Sequence, residues 1–108
     1  MRRYSVQLDA DAEGDLFDIY RYVALNDSLE QADRVFDALK RVCYSLRTLP
    51  LRGHCPPELQ AIGVTEFRAI RSKPYRIFFS LNRTRVTIHC VLDGRRDLQT
   101  LLEERLLR

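Results

Sequence analysis

A chain of 108 residues can bury one core without disulfide or metal support, so a single domain over residues 1–108 is predicted. Its 45% hydrophobic and 31% charged residues exclude a disordered chain, and no apolar run is long enough to span a membrane. Residues 1–50 carry 7 basic and 9 acidic side chains, whereas residues 51–108 carry 11 and 6. The second half is therefore expected to bind a polyanionic partner, either nucleic acid or an acidic protein.

The cellular compartment is predicted from the N-terminus and the cysteines. The N-terminus becomes acidic after eight residues and lacks the apolar stretch of a signal peptide. The three cysteines are odd in number and unequally spaced, which does not fit a disulfide framework. A cytoplasmic protein without membrane association is expected.

The first half of the chain predicts one strand and two helices. Residues 4–8 alternate weakly as a strand does, and Asp9 or Asp11 can cap the helix that follows. Apolar residues then recur at helical spacing until residues 24–27, where the first helix ends. A capping box at Ser28 begins a second amphipathic helix. Because the loop between the helices is so short, they must form an antiparallel hairpin.

The second half predicts a crossover loop, three strands and a terminal helix. Residues 48–63 contain three prolines and two glycines, and within them residues 57–60 can form a single helical turn. Asp97 can cap a leucine-rich final helix. The three strands are predicted at residues 65–72, 75–81 and 85–92.

The last two strands can be placed in register from their apolar residues. Cross-strand pairing across the turn predicts one apolar face, which the helical hairpin should cover. Its pairs are Leu81 with Val86, Phe79 with Ile88, Ile77 with Cys90 and Tyr75 with Leu92. The other face, which the helices need not cover, would carry Arg76, Phe78, Ser80, Thr87, His89 and Val91.

Residues 67–96 carry an unusual density of charge. Eight basic side chains face one acid, Asp93, which gives this stretch a charge of +7. Arginine dominates, and its planar fork suits bidentate binding of phosphate or carboxylate. The predicted target-binding residues are Arg68, Arg71, Arg76, Arg95 and Arg96.

The segments KPYRIFFSL and VLDGRRDLQTLLEERLL, in this order of elements, resemble the RelE/ParE superfamily of toxins from bacterial type II toxin–antitoxin pairs. The likeness covers nearly the whole chain. It implies an α+β fold of order β-α-α-β-β-β-α, in which an antiparallel sheet is backed by the N-terminal helical hairpin. It also implies a cognate antitoxin as partner, with operator DNA contacted only through the toxin–antitoxin complex.

The resemblance leaves three functions open. ParE-like members poison DNA gyrase and are not nucleases, and this branch is favoured. RelE-like members cleave messenger RNA in the ribosome. A toxin-derived module that binds its antitoxin but has lost its own target is the third alternative. No cofactor is predicted for any of them.

The nuclease alternative would use Arg68, Arg76, Arg96 and His89. The three arginines could hold a phosphate, and His89 could titrate near neutrality. The catalytic tyrosine of RelE-like relatives falls at or near Leu102 here, so the proton-transfer set is incomplete. This deficit favours the ParE-like branch.

Three further groups of residues were considered as candidate sites. Leu98, Leu101 and Leu102 can serve either as an antitoxin-binding surface or as internal packing. The carboxylates Glu13, Asp15 and Asp18 are interpreted as a solvated helix face. His54 and Cys55 have no second ligand pair at metal-binding spacing, so no metal site is predicted.

Overall fold

The computed structural model of the protein describes residues 3–107. It has the predicted α+β order, including the helical turn predicted at residues 57–60, and adds a 3₁₀ turn within the crossover loop. The elements are β1 (Ser5–Leu8), α1 (Ala10–Asn26), α2 (Leu29–Ser45), the 3₁₀ turn (Pro50–Arg52), α3 (Pro57–Gln60), β2 (Phe67–Ser72), β3 (Tyr75–Asn82), β4 (Arg85–Asp93) and α4 (Gln99–Leu106).

Side-chain caps begin the two long helices. A carboxylate oxygen of Asp9 accepts the backbone N–H of Ala12 at 2.9 Å, so Asp9 rather than Asp11 caps α1. The hydroxyl of Ser28 accepts the N–H of Gln31 at 3.0 Å and caps α2, as predicted. Each cap satisfies a donor that the helix itself leaves unpaired. Among residues 3–107 no helix combines the length and apolarity needed to cross a lipid bilayer.

The four strands form one mixed sheet in the order β1-β4-β3-β2. Strands β2, β3 and β4 are antiparallel, as expected. Strand β1 runs parallel to β4, with Val6 opposite Val86, so the antiparallel prediction does not hold for this edge. A long excursion through both helices separates β1 from β4, and such a connection permits parallel pairing, which a tight hairpin does not.

A β-bulge in β4 changes the predicted register. From Leu81 to Phe79 the pairing is as predicted, with Phe79 opposite Ile88. His89 is then an extra residue in β4, and every pair beyond it shifts by one position. The observed pairs are Phe78 with Cys90, Ile77 with Val91 and Tyr75 with Asp93, in place of the predicted Ile77 with Cys90 and Tyr75 with Leu92.

The helical hairpin covers one face of the sheet, as predicted. Val91 was expected on the opposite face, but the bulge turns it into this core. The buried residues are Ala12, Leu16, Leu39, Cys43, Leu46, Ile77, Phe79, Val86, Ile88 and Val91.

A second core lies on the opposite face, which was expected to need no cover. The bulge turns the side chains of Cys90 and Leu92 to this face and makes it apolar. Helices α3 and α4 pack together over it. Its buried residues are Leu59, Phe67, Ala69, Phe78, Cys90, Leu92, Leu98 and Leu102. The terminal helix is therefore part of the folded domain and holds this face closed.

All three cysteines are free thiols. Burial raises the pKa of Cys43 to about 11 and that of Cys90 to about 12. Both thiols therefore stay protonated at neutral pH and act as small apolar side chains in the two cores.

Substitution of two glycines by alanine is expected to change the free energy of unfolding in opposite directions. A Cβ at Gly53 would lie 2.8 Å from the carbonyl oxygen of Ala69 and 3.0 Å from the ring of Phe79. Gly53→Ala should therefore lower the free energy of unfolding by about 1–3 kcal/mol through overpacking. Gly14 lies inside α1 with nothing within 4 Å of its Cβ position, so Gly14→Ala should stabilise by about 1 kcal/mol. Urea unfolding measures both, and equal stability of the two variants would contradict the packing at Gly53.

Candidate functional site

Four basic side chains gather at one end of the sheet. Arg71 lies near the end of β2, Lys73 in the β2–β3 turn, and Arg95 and Arg96 just after β4. The antiparallel pairing brings these chain ends together, and all four side chains are exposed. We call this group the basic rim. Arg71, Lys73 and Arg95 line a depression of about 320 Å³ on it, together with the side chain of Arg76.

The members of the basic rim differ in how they are paired. Arg95 donates to both carboxylate oxygens of Asp93, at 3.0 and 2.7 Å, and this contact lowers the pKa of Asp93. The side chain of Arg95 is nevertheless 73% exposed, so the pair adds little stability. Within the described residues, the side chains of Arg71 and Arg96 form no hydrogen bond or ion pair. Their guanidinium groups are free to bind a partner.

Two tyrosines stand beside the basic rim, and the sequence prediction did not include them. Tyr22 of α1 is 67% exposed and shares two depressions, of about 590 and 530 Å³, with Tyr75 and Arg95. Burial is the main cause that raises the pKa of Tyr75. The exposure of Tyr22 depends on how α1 packs on the sheet, so nothing in the sequence distinguishes it from the other aromatic residues of the helix.

The guanidinium of Arg76 is bound within the protein and, unlike those of Arg71 and Arg96, is not free to bind a partner. Its guanidinium donates to both carboxylate oxygens of Glu58 in α3, at 2.6 and 3.2 Å. The side chains are only 14% and 23% exposed, and the guanidinium lies 5.0 Å from the ring centre of Phe78. Glu58 therefore occupies the fork with which Arg76 would bind a phosphate or carboxylate of a target.

The Glu58–Arg76 pair predicts a loss of stability in acid. The hydrogen bonds from Arg76 are the largest cause that lowers the pKa of Glu58 below its ordinary value of 4.5. The unfolded chain therefore takes up this proton first, so the stabilisation is complete above about pH 4.5 and disappears as pH falls through the lowered pKa. Urea unfolding between pH 7 and 3 should show a shallower acid decline for Glu58→Gln than for the wild type. Glu104→Gln, in an exposed part of α4, is the control, and an equal decline for all three proteins would contradict the pairing.

Arg68 lies on the other face of the sheet from Arg76. It pairs with Phe79 of the hairpin core, and its guanidinium donates to the carbonyl oxygens of Leu51, at 3.0 Å, and Gly53. Its Nε is buried and has no hydrogen-bond partner within residues 3–107. These contacts fasten the crossover loop to the sheet, so the guanidinium is largely occupied by the fold.

His89 lies at the bulge, away from the basic rim. Its Nε2 is 2.7 Å from the hydroxyl of Ser80, its Nδ1 is 3.3 Å from a carboxylate oxygen of Asp9, and Phe67 contacts the ring edge-on. The four residues of the nuclease alternative are therefore not brought together. The sequence analysis grouped them because of their strand positions and their charge. Neither property shows which other residues of the fold each side chain contacts.

The leucines of the predicted antitoxin surface are mostly internal. Leu98 is 3% exposed and Leu102 is fully buried in the second core, whereas Leu101 is half-buried at its edge. The alternative of internal packing is therefore the one that fits Leu98 and Leu102. Their side chains can contact an antitoxin only if α4 leaves the sheet.

An apolar groove of about 710 Å³ runs between the two long helices. Phe17 stands at its wall and is 60% exposed, and Tyr20 packs edge-on against Phe36. The hydroxyl of Tyr20 donates to Asp33 at 2.8 Å. The lining residues are Leu8, Glu13, Leu16, Phe17, Tyr20, Asp33, Phe36, Lys40, Cys43 and Tyr44. The sequence analysis missed this groove because its lining comes from α1, α2 and β1, and the pattern of the sequence does not give the spacing between these elements.

Two solved structures share this architecture. A chain of a chromosomal ParDE toxin–antitoxin system from P. aeruginosa matches with a TM-score of 0.71 and 17% identity, over 84% of this chain and 96% of the other. A chain of the toxin–antitoxin complex RelBE2 from Mycobacterium tuberculosis matches with a TM-score of 0.64 and 22% identity, over 86% and 93%. The fold is therefore that of the RelE/ParE toxins, as predicted.

Sequence comparison gives the family. Residues 6–98 match the model of the ParE toxin of the parDE type II toxin–antitoxin system. This match covers most of the chain, and the protein belongs to the ParE toxin family. It is the toxin of a type II toxin–antitoxin system. No curated protein matches the sequence.

Proposed function

We propose that this toxin acts in the cytoplasm by binding DNA gyrase and stabilising the enzyme's cleaved-DNA state. The observation that carries the proposal is the basic rim, where Arg71 and Arg96 are exposed and form no ion pair within the described residues. Such a surface suits binding to a polyanionic target without any bond being broken. Membership of the ParE family supports the same target.

The arrangement of the nuclease candidates supports binding over RNA cleavage. Cleavage through the 2′-hydroxyl needs a base, an acid and a cation around one phosphate. Arg68 and Arg76 lie on opposite faces of the sheet, and Leu102 is buried where a tyrosine would be needed.

A supercoiling assay with purified gyrase tests the proposed target. Purified toxin is added with and without ATP-driven turnover, and cleaved DNA is trapped with detergent and quantified. Cleaved DNA should accumulate with toxin concentration and disappear when the antitoxin is added. If folded toxin has no effect, cleavage of messenger RNA in a ribosome-based translation reaction becomes the favoured activity. Inactivity in both reactions, with antitoxin binding retained, would identify an antitoxin-binding module.

We also propose that this toxin is neutralised by a cognate antitoxin, and that the apolar groove between α1 and α2 receives an apolar segment of it. The groove has a volume of about 710 Å³, is lined mainly by aliphatic and aromatic side chains, and exposes Phe17. Glu13, Asp33 and Lys40 along its walls would fix the orientation of a bound amphipathic helix through complementary charges. This placement replaces Leu98 and Leu102, whose side chains are buried.

Phe17→Ala should weaken antitoxin binding by about tenfold or more, because an exposed aromatic in an apolar groove is a typical binding hot spot. Calorimetric titration of toxin with antitoxin measures the change. Leu25→Ala is the matched control, since Leu25 is 79% exposed on the same helix but lies outside the groove. Equal affinities of the two variants would place the antitoxin elsewhere.

A further inference from the structure

A serine, a histidine and an aspartate are connected by hydrogen bonds, away from the basic rim and the groove. We call Ser80, His89 and Asp9 the relay. The hydroxyl of Ser80 on β3 is 2.7 Å from Nε2 of His89 on β4. Nδ1 of the same ring is 3.3 Å from Oδ2 of Asp9, at the start of α1. The side chains of His89 and Asp9 are 25% and 39% exposed, and Ser80 is also partly exposed. A small molecule can therefore reach the relay from solvent.

The direction of proton donation follows from Asp9. A carboxylate can only accept hydrogen bonds, and its other oxygen already accepts the N–H of Ala12. Nδ1 of His89 therefore carries the proton and donates a hydrogen bond to Asp9. In the neutral ring Nε2 is then an acceptor, so Ser80 donates its hydroxyl proton to it. This is the order of donors and acceptors that activates a serine nucleophile.

Other contacts hold the ring of His89 in this orientation. The β-bulge makes His89 the extra residue of β4 and places its ring on the same face as Ser80. The ring of Phe67 packs edge-on against the imidazole, with centroids 5.3 Å apart. Asp9 is fixed in turn by its role as the cap of α1. The relay is therefore positioned by three separate elements of the fold.

We propose that Ser80 is a covalent modification site that reacts with activated phosphoryl esters. The hydroxyl oxygen attacks phosphorus, the bond from phosphorus to the leaving group breaks, and the leaving group departs with its electron pair. The serine proton passes to Nε2 of His89, and Asp9 stabilises the imidazolium that forms. The inference goes beyond gyrase binding and does not depend on it.

The surroundings favour a stable adduct over turnover. Ser80 lies in a central strand, paired with Phe67 on one side and Thr87 on the other. Its backbone N–H is therefore within the sheet and cannot form an oxyanion hole, which hydrolysis of the adduct would need. Ser80 is expected to react once per molecule and to remain modified.

A fluorophosphonate ester that does not carry a second reactive group is the probe. Folded toxin is incubated with it, and the adduct is located and its rate measured by mass spectrometry of peptides. Ser80 should react about 100-fold faster than Ser5, an exposed serine of β1, because general-base assistance contributes at least that factor. Equal rates at Ser80 and Ser5 would overturn the proposal.

Two variants separate activation from simple exposure. His89→Gln keeps a polar group beside Ser80 but removes the base, so the rate at Ser80 should fall to that of Ser5. Asp9→Asn should also slow the reaction while leaving α1 capped, since asparagine caps helices as well as aspartate does. An unchanged rate in either variant, at an unchanged melting temperature, would show that the relay does not activate Ser80.

Discussion

Asp15→Ala is expected to lower the free energy of unfolding by about 3 kcal/mol or more, measured by urea unfolding at neutral pH. The carboxylate of Asp15 accepts a hydrogen bond from the backbone N–H of Val91, beside the bulge, at 2.9 Å. It also accepts hydrogen bonds from both terminal NH₂ groups of Arg105, at 3.1 and 2.8 Å. The side chain is only 14% exposed and that of Arg105 only 19%. Alanine would leave a buried amide and a largely buried guanidinium without this partner.

Two controls separate the anchoring role of Asp15 from its charge. Asp15→Asn keeps an oxygen that can accept the N–H of Val91, so it should be less destabilising than alanine. Asp18→Ala removes an exposed carboxylate from the same helix and should change stability by less than about 0.5 kcal/mol. If Asp15→Ala were as mild as Asp18→Ala, the connection between α1, β4 and α4 would contribute nothing.

The sequence predicts those parts of the fold that depend on neighbours along the chain. The caps at Asp9 and Ser28, the hairpin of two amphipathic helices and the one-turn helix at Pro57–Gln60 all follow from local patterns. The register from Leu81 to Phe79 also follows, because a two-residue turn fixes it and apolar residues face each other. Each of these features needs only a few consecutive residues to be specified.

The bulge at His89 could not be predicted in this way. The alternation of β4 is compatible with a regular strand, and the irregularity is held by the carboxylate of Asp15, 76 residues away from Val91. Asp15 was interpreted as part of a solvated helix face, and the structure shows that this is wrong. The sequence around a charged residue on a polar helix face does not show that its side chain will bind the backbone of a strand far along the chain.

Charge density has a similar limit as a guide to binding surfaces. The run of arginines does include the exposed residues Arg71 and Arg96, but it equally includes Arg68 and Arg76. The latter two are held by carbonyl oxygens of the crossover loop and by Glu58, respectively. A guanidinium binds an internal carboxylate as well as an external phosphate, so its net charge alone does not tell which it contacts.

Replacing Arg71 and Arg96 together by alanine should therefore abolish most of the proposed action on gyrase while leaving the fold intact. The double variant is expected to need at least about tenfold more toxin for half-maximal accumulation of cleaved DNA, because two unpaired arginines of a binding surface are lost. Its free energy of unfolding should change by no more than about 0.5 kcal/mol per substitution, since neither side chain bonds to the described residues.

The matched control removes the same charge from elsewhere on the surface. Arg41→Ala with Arg85→Ala takes two exposed arginines from α2 and from the start of β4, at the opposite end of the strand from the basic rim. A general loss of positive charge would weaken both double variants equally, and this outcome would contradict a localised site. Loss confined to the Arg71 and Arg96 variant requires the target to contact the basic rim itself, because net charge and fold are then the same in both proteins.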